Sequence, residues 1–212
     1  MFTITIAIIL ITCVVSFTAF SNEKITNDLI FYPPAVSNQN QWYRFITSGF
    51  IHADIMHLAF NMFTFYFFGD PVEKAFLSIY GGMGKLFFAL LYLASLVACL
   101  LPTYLQHKDN YYYRSLGASG AVSAVLFAGI LLFPTMGIRI FPIPFSIPAF
   151  IFGPIYLILS AYLAKKGQGN INHSAHIWGA LFGVVFLAIT CQFFSEFRPL
   201  QNFVSEIIDY MR

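Results

Sequence analysis

Ser119 lies in Gly117-Ala118-Ser119-Gly120 and His176 in Ala175-His176-Ile177-Trp178-Gly179, each inside an apolar run. A hydroxyl and an imidazole are the nucleophile and general base of acyl transfer, in which the histidine takes the serine proton as the oxygen attacks a carbonyl. The glycines beside the serine let a substrate backbone come close and leave main-chain N–H groups free to face a developing oxyanion. Taken alone, Gly-x-Ser-Gly in an apolar helix is equally a device for close helix packing. The histidine separates the two readings. His176, Gly179 and Gly183 fall at i, i+3 and i+7 on one helix face, and Gly117, Ala121, Ala124 and Ala128 form a small-residue stripe on the other segment. Pairing these faces carries His176 to Ser119. Neither segment contains a carboxylate, so the expectation is a Ser-His dyad, with His173 as a rival base.

A further polar cluster runs from Phe50 to Asn61. His57 and Asn61 are four apart and share a helix face, while His52 precedes them at the junction of loop and helix. Polar side chains at membrane depth are costly and concentrate at functional sites. A zinc reading fails on spacing: the histidines are five apart and Ala53 occupies the place of the glutamate in His-Glu-x-x-His. Asn61 and His52 fit neutral donors to an oxyanion, with His57 holding water or a loop in place. This chemistry requires no cofactor and no metal.

The elements that must position these residues are membrane helices. Only 9% of the 212 residues are charged, against about 25% in an ordinary soluble domain, which marks an integral, multi-pass membrane protein. A net charge of +2 without a Lys/Arg cluster excludes nucleic acid as a partner. About 20 apolar residues cross a bilayer as a helix, and six segments qualify: residues 2–20, 56–78, 86–105, 117–134, 148–164 and 175–195. The fold class expected is therefore all-α, a six-transmembrane-helix bundle forming one domain over 1–212. The first run has no basic leader or clear cleavage site and reads as a spanning helix. Gly69-Asp70-Pro71 predicts a kink or early exit in the second segment. Loop 21–55, with Pro33-Pro34, Leu29-Ile30-Phe31 and Trp42-Tyr43-Arg44, suits a structure resting on the membrane surface. Pro134, Pro142, Pro144 and Pro148 predict an extended or irregular connection before segment five, and Gly167 and Gly169 a flexible turn before segment six. Bulky Phe152 and Tyr156 of segment five are placed to fill a side opening against segment two. Cys13, Cys99 and Cys191 read as small buried hydrophobes, and lysine and arginine placement does not decide orientation.

The order Trp42-Tyr43-Arg44, His52, His57, Asn61, Gly69, Glu73, Gly117-Ala118-Ser119-Gly120 and Ala175-His176 with Gly179 and Gly183 resembles the rhomboid intramembrane serine proteases over about residues 42–185. The resemblance implies a rhomboid-like six-helix bundle of the basic prokaryotic type with its amino terminus in the cytoplasm, and a bacterial inner membrane as its location. It implies Ser119 as nucleophile, His176 as base, Asn61 and His52 as oxyanion donors with the Ser119 N–H, and Arg44 and Glu73 as residues holding the loop to the bundle. Substrates would be transmembrane proteins, cut near a small residue where the helix unwinds readily. The alternative is a rhomboid-like pseudoprotease that binds membrane helices without cleavage; both dyad residues, whose loss would mark one, are present. Oligomeric state is left open. This chain departs from the family pattern twice. Tyr43 separates Trp42 from Arg44, and Ser123 replaces the aromatic ring that usually follows the serine by one turn and stacks on the histidine. Ser123 shares the face of Ser119 and cannot stack, so the residue orienting His176 is unassigned.

Overall fold

The structure, a computed structural model, describes residues 3–139, 144–166 and 171–212. Pro142, Gly167 and Gly169 lie outside the described residues. Eleven helices are described: α1 Ile4–Phe20, α2 Glu23–Leu29, α3 Pro33–Gln39, α4 Arg44–Thr47, α5 Ile55–Tyr80, α6 Gly84–Ala98, α7 Leu101–His107, α8 Ser119–Leu132, α9 Ala149–Lys166, α10 His173–Phe194 and α11 Pro199–Met211. Each of the six apolar segments is thus helical, the third as α6 followed by α7. By length and apolarity alone, three stretches can cross a membrane: the one running from Ile55 to His107, then α9 and α10. The apolar helices α1 and α8 are shorter.

Helix α8 is the hub. Every residue from Gly120 to Leu132 is buried, because α5, α6, α9, α10 and α11 all pack on it. In lipid the apolar effect gives no preference for helix over hydrocarbon, so close packing of small residues must do this work. Gly120, Ala121, Ser123, Ala124, Ala128 and Gly129 supply it. On α9, by contrast, only Ala149, Gly153 and Ser160 are buried, and Ile151, Ile155, Ile158, Leu159 and Tyr162 face outward.

Four features differ from the sequence expectations. Helix α5 continues unbroken through Pro71; the missing N–H leaves one carbonyl unpaired, and packing outweighs that local loss. Glu73 is buried and bonds α1 rather than the loop. Its carboxylate accepts from the Ile4 and Thr5 N–H groups, both at 2.8 Å, and from Thr5 Oγ1 at 2.7 Å, so it caps the start of α1. A carboxylate at a helix N-terminus satisfies orphan donors and opposes the helix dipole. Buried Arg44 instead holds loop 21–55 to itself, donating to the carbonyls of Asn27 at 2.8 Å and Ile30 at 2.7 Å. The all-α expectation is qualified by two three-residue strands, Gly137–Arg139 and Ser146–Pro148, paired antiparallel in the proline-rich connection. Finally, α11 lies beyond the six segments, its Phe203 packed on the bundle and Leu200, Val204 and Ile208 exposed along one face.

Loop 21–55 is folded rather than loose. Phe31 is fully buried and exchanges backbone hydrogen bonds with Ser115, Phe45 packs on Phe31 and Tyr104, and Trp42 and Tyr43 remain exposed. The loop therefore sits over the same end of the bundle at which α8 and α10 begin.

Candidate active site

Ser119 is the first residue of α8 and His176 lies in the first turn of α10. The two helices run side by side in the same direction, which sets both reactive groups at one end. Their approach depends on glycine. A Cβ on Gly179 would collide with the carbonyl oxygen of Gly120, and one on Gly183 with that of Ala124. Neither backbone atom can yield. The packing face of α10 is the one its glycine spacing predicts; of its two partners on α8, Ala124 belongs to the expected Gly117-Ala121-Ala124-Ala128 stripe and Gly120 does not. Asn172 fixes the start of α10: its side-chain oxygen accepts from Ala175 N–H at 3.1 Å, and its amide donates to Thr103 Oγ1 at 3.0 Å. An asparagine before an apolar run is an N-cap signal that the sequence carries in plain view.

The result is His176 Nε2 at 2.8 Å from Ser119 Oγ. His173 stands beside His176, ring centroids 5.6 Å apart and nearly perpendicular, and it is His176 that bonds the serine.

The other polar residues converge on the same place. Asn61 is buried, and its amide donates to the His57 carbonyl at 2.9 Å. A carboxamide carries two N–H groups, so one remains, and Asn61 lines with Ser119 a cavity of about 160 Å³ between α5, α8 and α9. As the first residue of α8, Ser119 has an N–H with no helical carbonyl to bond. His52, nearly wholly buried in the loop, accepts from Ala118 N–H through Nε2 at 3.3 Å, while Nδ1 meets Ser16 Oγ at 3.0 Å. Ser16 Oγ donates to the Phe50 carbonyl at 2.9 Å. The network closes in one way, with the His52 proton on Nδ1 pointing at Ser16 and the lone pair on Nε2. Burial pushes the His52 imidazole down to about 3, which keeps it neutral. His57 packs against Gly117, whose φ of 112° suits glycine and whose Cβ would lie 2.7 Å from His57 Cε1. A second cavity of about 30 Å³, lined by Gly117, Ser119, Gly120, Cys99, Leu96 and Ala175 among others, opens beside the serine.

Residues 39–193 match the Rhomboid domain. The chain belongs to the rhomboid family. This rhomboid is 35% identical over 150 residues to RHOMBOID-like protein 12, mitochondrial, of Arabidopsis thaliana, covering 66% of this chain and 44% of that protein. It is 29% identical over 166 residues to the putative rhomboid protease YdcA of Bacillus subtilis (strain 168), covering 76% and 72%. With rhomboid protease GluP of the same bacterium it shares 32% over 154 residues, covering 71% and 26%. The matches span about half the length of the two plant relatives. Relatives named for mitochondria and chloroplasts stand beside bacterial ones, so membership identifies an integral membrane family and does not single out the bacterial inner membrane.

One neighbour of the dyad was missed in the sequence. Tyr156 of α9 lies over His176 and bonds Ser123; its segment was read as lining a side opening, and no local spacing ties residue 156 to residues 119 and 176.

Proposed function

We propose that this rhomboid is an intramembrane serine endopeptidase that crosses the bilayer six times and hydrolyses peptide bonds in or near transmembrane segments of other membrane proteins. The observation that carries the reading is the 2.8 Å contact between His176 Nε2 and Ser119 Oγ in a site roofed by a folded loop. Ser119 Oγ attacks the scissile carbonyl carbon and its proton passes to His176 Nε2. The carbonyl oxygen becomes an oxyanion that accepts from the Ser119 N–H and the free Asn61 N–H. The C–N bond then breaks as His176 returns the proton to the leaving amine, and water, deprotonated by the same histidine, releases the acyl group. His52 acts differently from the sequence expectation: with Nε2 accepting from Ala118, it positions the Gly117-Ala118 turn that aims the Ser119 N–H. The cavity beside the serine has room for about one small side chain, which supports cleavage next to a small residue.

Cleavage of a reporter carrying one transmembrane helix, with purified enzyme in proteoliposomes, tests the proposal. The wild type releases two fragments, and Ser119→Ala and His176→Ala release none while keeping wild-type thermal stability. A pseudoprotease would bind the reporter and leave it whole in all three.

A further inference from the structure

We propose that Tyr156 of α9 is the positioning residue for His176, so that the dyad is aligned only while α9 is seated against α8. This rests on the protease reading above. The Tyr156 and His176 rings face each other at 25° between planes, with centroids 6.2 Å apart. The phenol is held at its other end: Tyr156 OH lies 2.7 Å from Ser123 Oγ, and Ser123 Oγ donates to the Ser119 carbonyl at 2.8 Å. Because the Ser123 proton goes to that carbonyl, Tyr156 is the donor in the first bond. The chain Tyr156 to Ser123 to Ser119 therefore returns to the nucleophile's own peptide group. Phe127 and Phe152 flank the ring, with centroids 5.6 Å and 5.9 Å away. One side chain thus faces His176 directly and is linked to Ser119 through Ser123, from a helix that contributes neither half of the dyad.

Of the three stretches long and apolar enough to cross a membrane, the helix it comes from is the least buried, with three buried residues and Pro154 within it. Among the described residues, the Tyr156–Ser123 bond is the only side-chain hydrogen bond joining α9 to α8. Tyr156 also walls the cavity that holds Asn61 and Ser119. If α9 swings outward to admit a substrate helix, the bond breaks and the ring leaves His176, so the base loses its support whenever the side is open. Chemistry then waits for α9 to close on the bound segment.

Two probes of different size separate this role from a plain barrier. A small fluorophosphonate needs the aligned dyad and no opening between helices, whereas a transmembrane reporter needs both. Tyr156→Leu is expected to slow fluorophosphonate labelling of Ser119 by about tenfold to a hundredfold, the penalty of a catalytic pair out of line by about 1 Å. Reporter cleavage falls with it. Tyr156→Phe, which keeps the ring and loses the bond to Ser123, slows labelling by about threefold, and Ser123→Ala gives a loss of similar size. Phe152→Leu, one turn away, labels at the wild-type rate and controls for loosening of α9. A Tyr156→Leu enzyme that labels at the wild-type rate, and above all one that also cuts the reporter faster, overturns the proposal in favour of a barrier. If Tyr156→Leu does not fold, Ser123→Ala and Tyr156→Phe decide, and wild-type labelling in both with unchanged response to pH overturns it as well. Failure of the protease reading looks different: folded wild type would take no label at Ser119, and the positioning role would fall with it.

Discussion

Adding one methyl group at Gly179 tests how closely the dyad geometry depends on the α8–α10 contact. The Cβ of Gly179→Ala would overlap the Gly120 carbonyl oxygen and stand 2.9 Å from its carbon, where carbon atoms rest at about 3.5–4.0 Å. Both obstacles are backbone atoms of the residue next to Ser119, so no side chain can turn aside. The helices must part by about 1 Å at this level, and His176 is carried on the same turn of α10. The Nε2–Oγ distance then grows from 2.8 Å to about 3.8 Å, beyond hydrogen-bond reach. A shift of that size costs on the order of 10² in rate, and overpacking destabilises by about 1–3 kcal/mol. Fluorophosphonate labelling rate and thermal unfolding in detergent measure the two effects on one sample. Gly179→Ala should label roughly a hundredfold more slowly and unfold earlier. Wild-type labelling with wild-type stability would show that the helices do not meet through this face.

Asn61→Ala should lower kcat by about 10² to 10³ with little change in KM, as expected of a donor that acts on the transition state; steady-state cleavage kinetics check it, and an unchanged kcat removes Asn61 from the oxyanion site. Ser16→Ala removes the acceptor that fixes the His52 proton on Nδ1, and should lower kcat roughly fivefold, the equivalent of about 1 kcal/mol for one hydrogen bond. Full activity in Ser16→Ala beside a dead His52→Ala would favour direct donation by His52 to the oxyanion. Glu73→Gln turns an amide toward the N–H groups of Ile4 and Thr5 and should destabilise by about 2 kcal/mol while leaving kcat within twofold at low temperature; an unchanged melting temperature would refute the capping role.

The parts of the site legible in the sequence are those that obey helical periodicity within one segment. Gly179 and Gly183 share the face of His176, and that regularity predicts the helix pairing before any coordinates. The exact partners on α8 depend on axial register, which no pattern within α8 encodes. The family resemblance implies that Glu73 holds the loop, yet its partners are the Ile4 and Thr5 N–H groups and the Thr5 hydroxyl, and every helix start offers such N–H groups without a residue type to mark them. The His52 tautomer follows from Ser16, 36 residues earlier on helix α1. Tyr156 is invisible for the same reason, although Ser123 at the place of a family aromatic leaves the vacancy in view. Helix α11 is legible by the same rule: Leu200, Phe203, Val204, Ile207, Ile208 and Met211 repeat at helical spacing behind Pro199, although its 13 residues fall short of a bilayer-length run.

Everything proposed for the site depends on Ser119 being a nucleophile activated by His176. The most direct measurement is fluorophosphonate labelling of the purified full chain, with the modified residue located by peptide mass spectrometry. One phosphonylated site is expected, at Ser119, absent in Ser119→Ala and slowed by at least about 10³ in His176→Ala. Labelling that persists in Ser119→Ala, maps to another residue, or proceeds at the wild-type rate without His176 would contradict it.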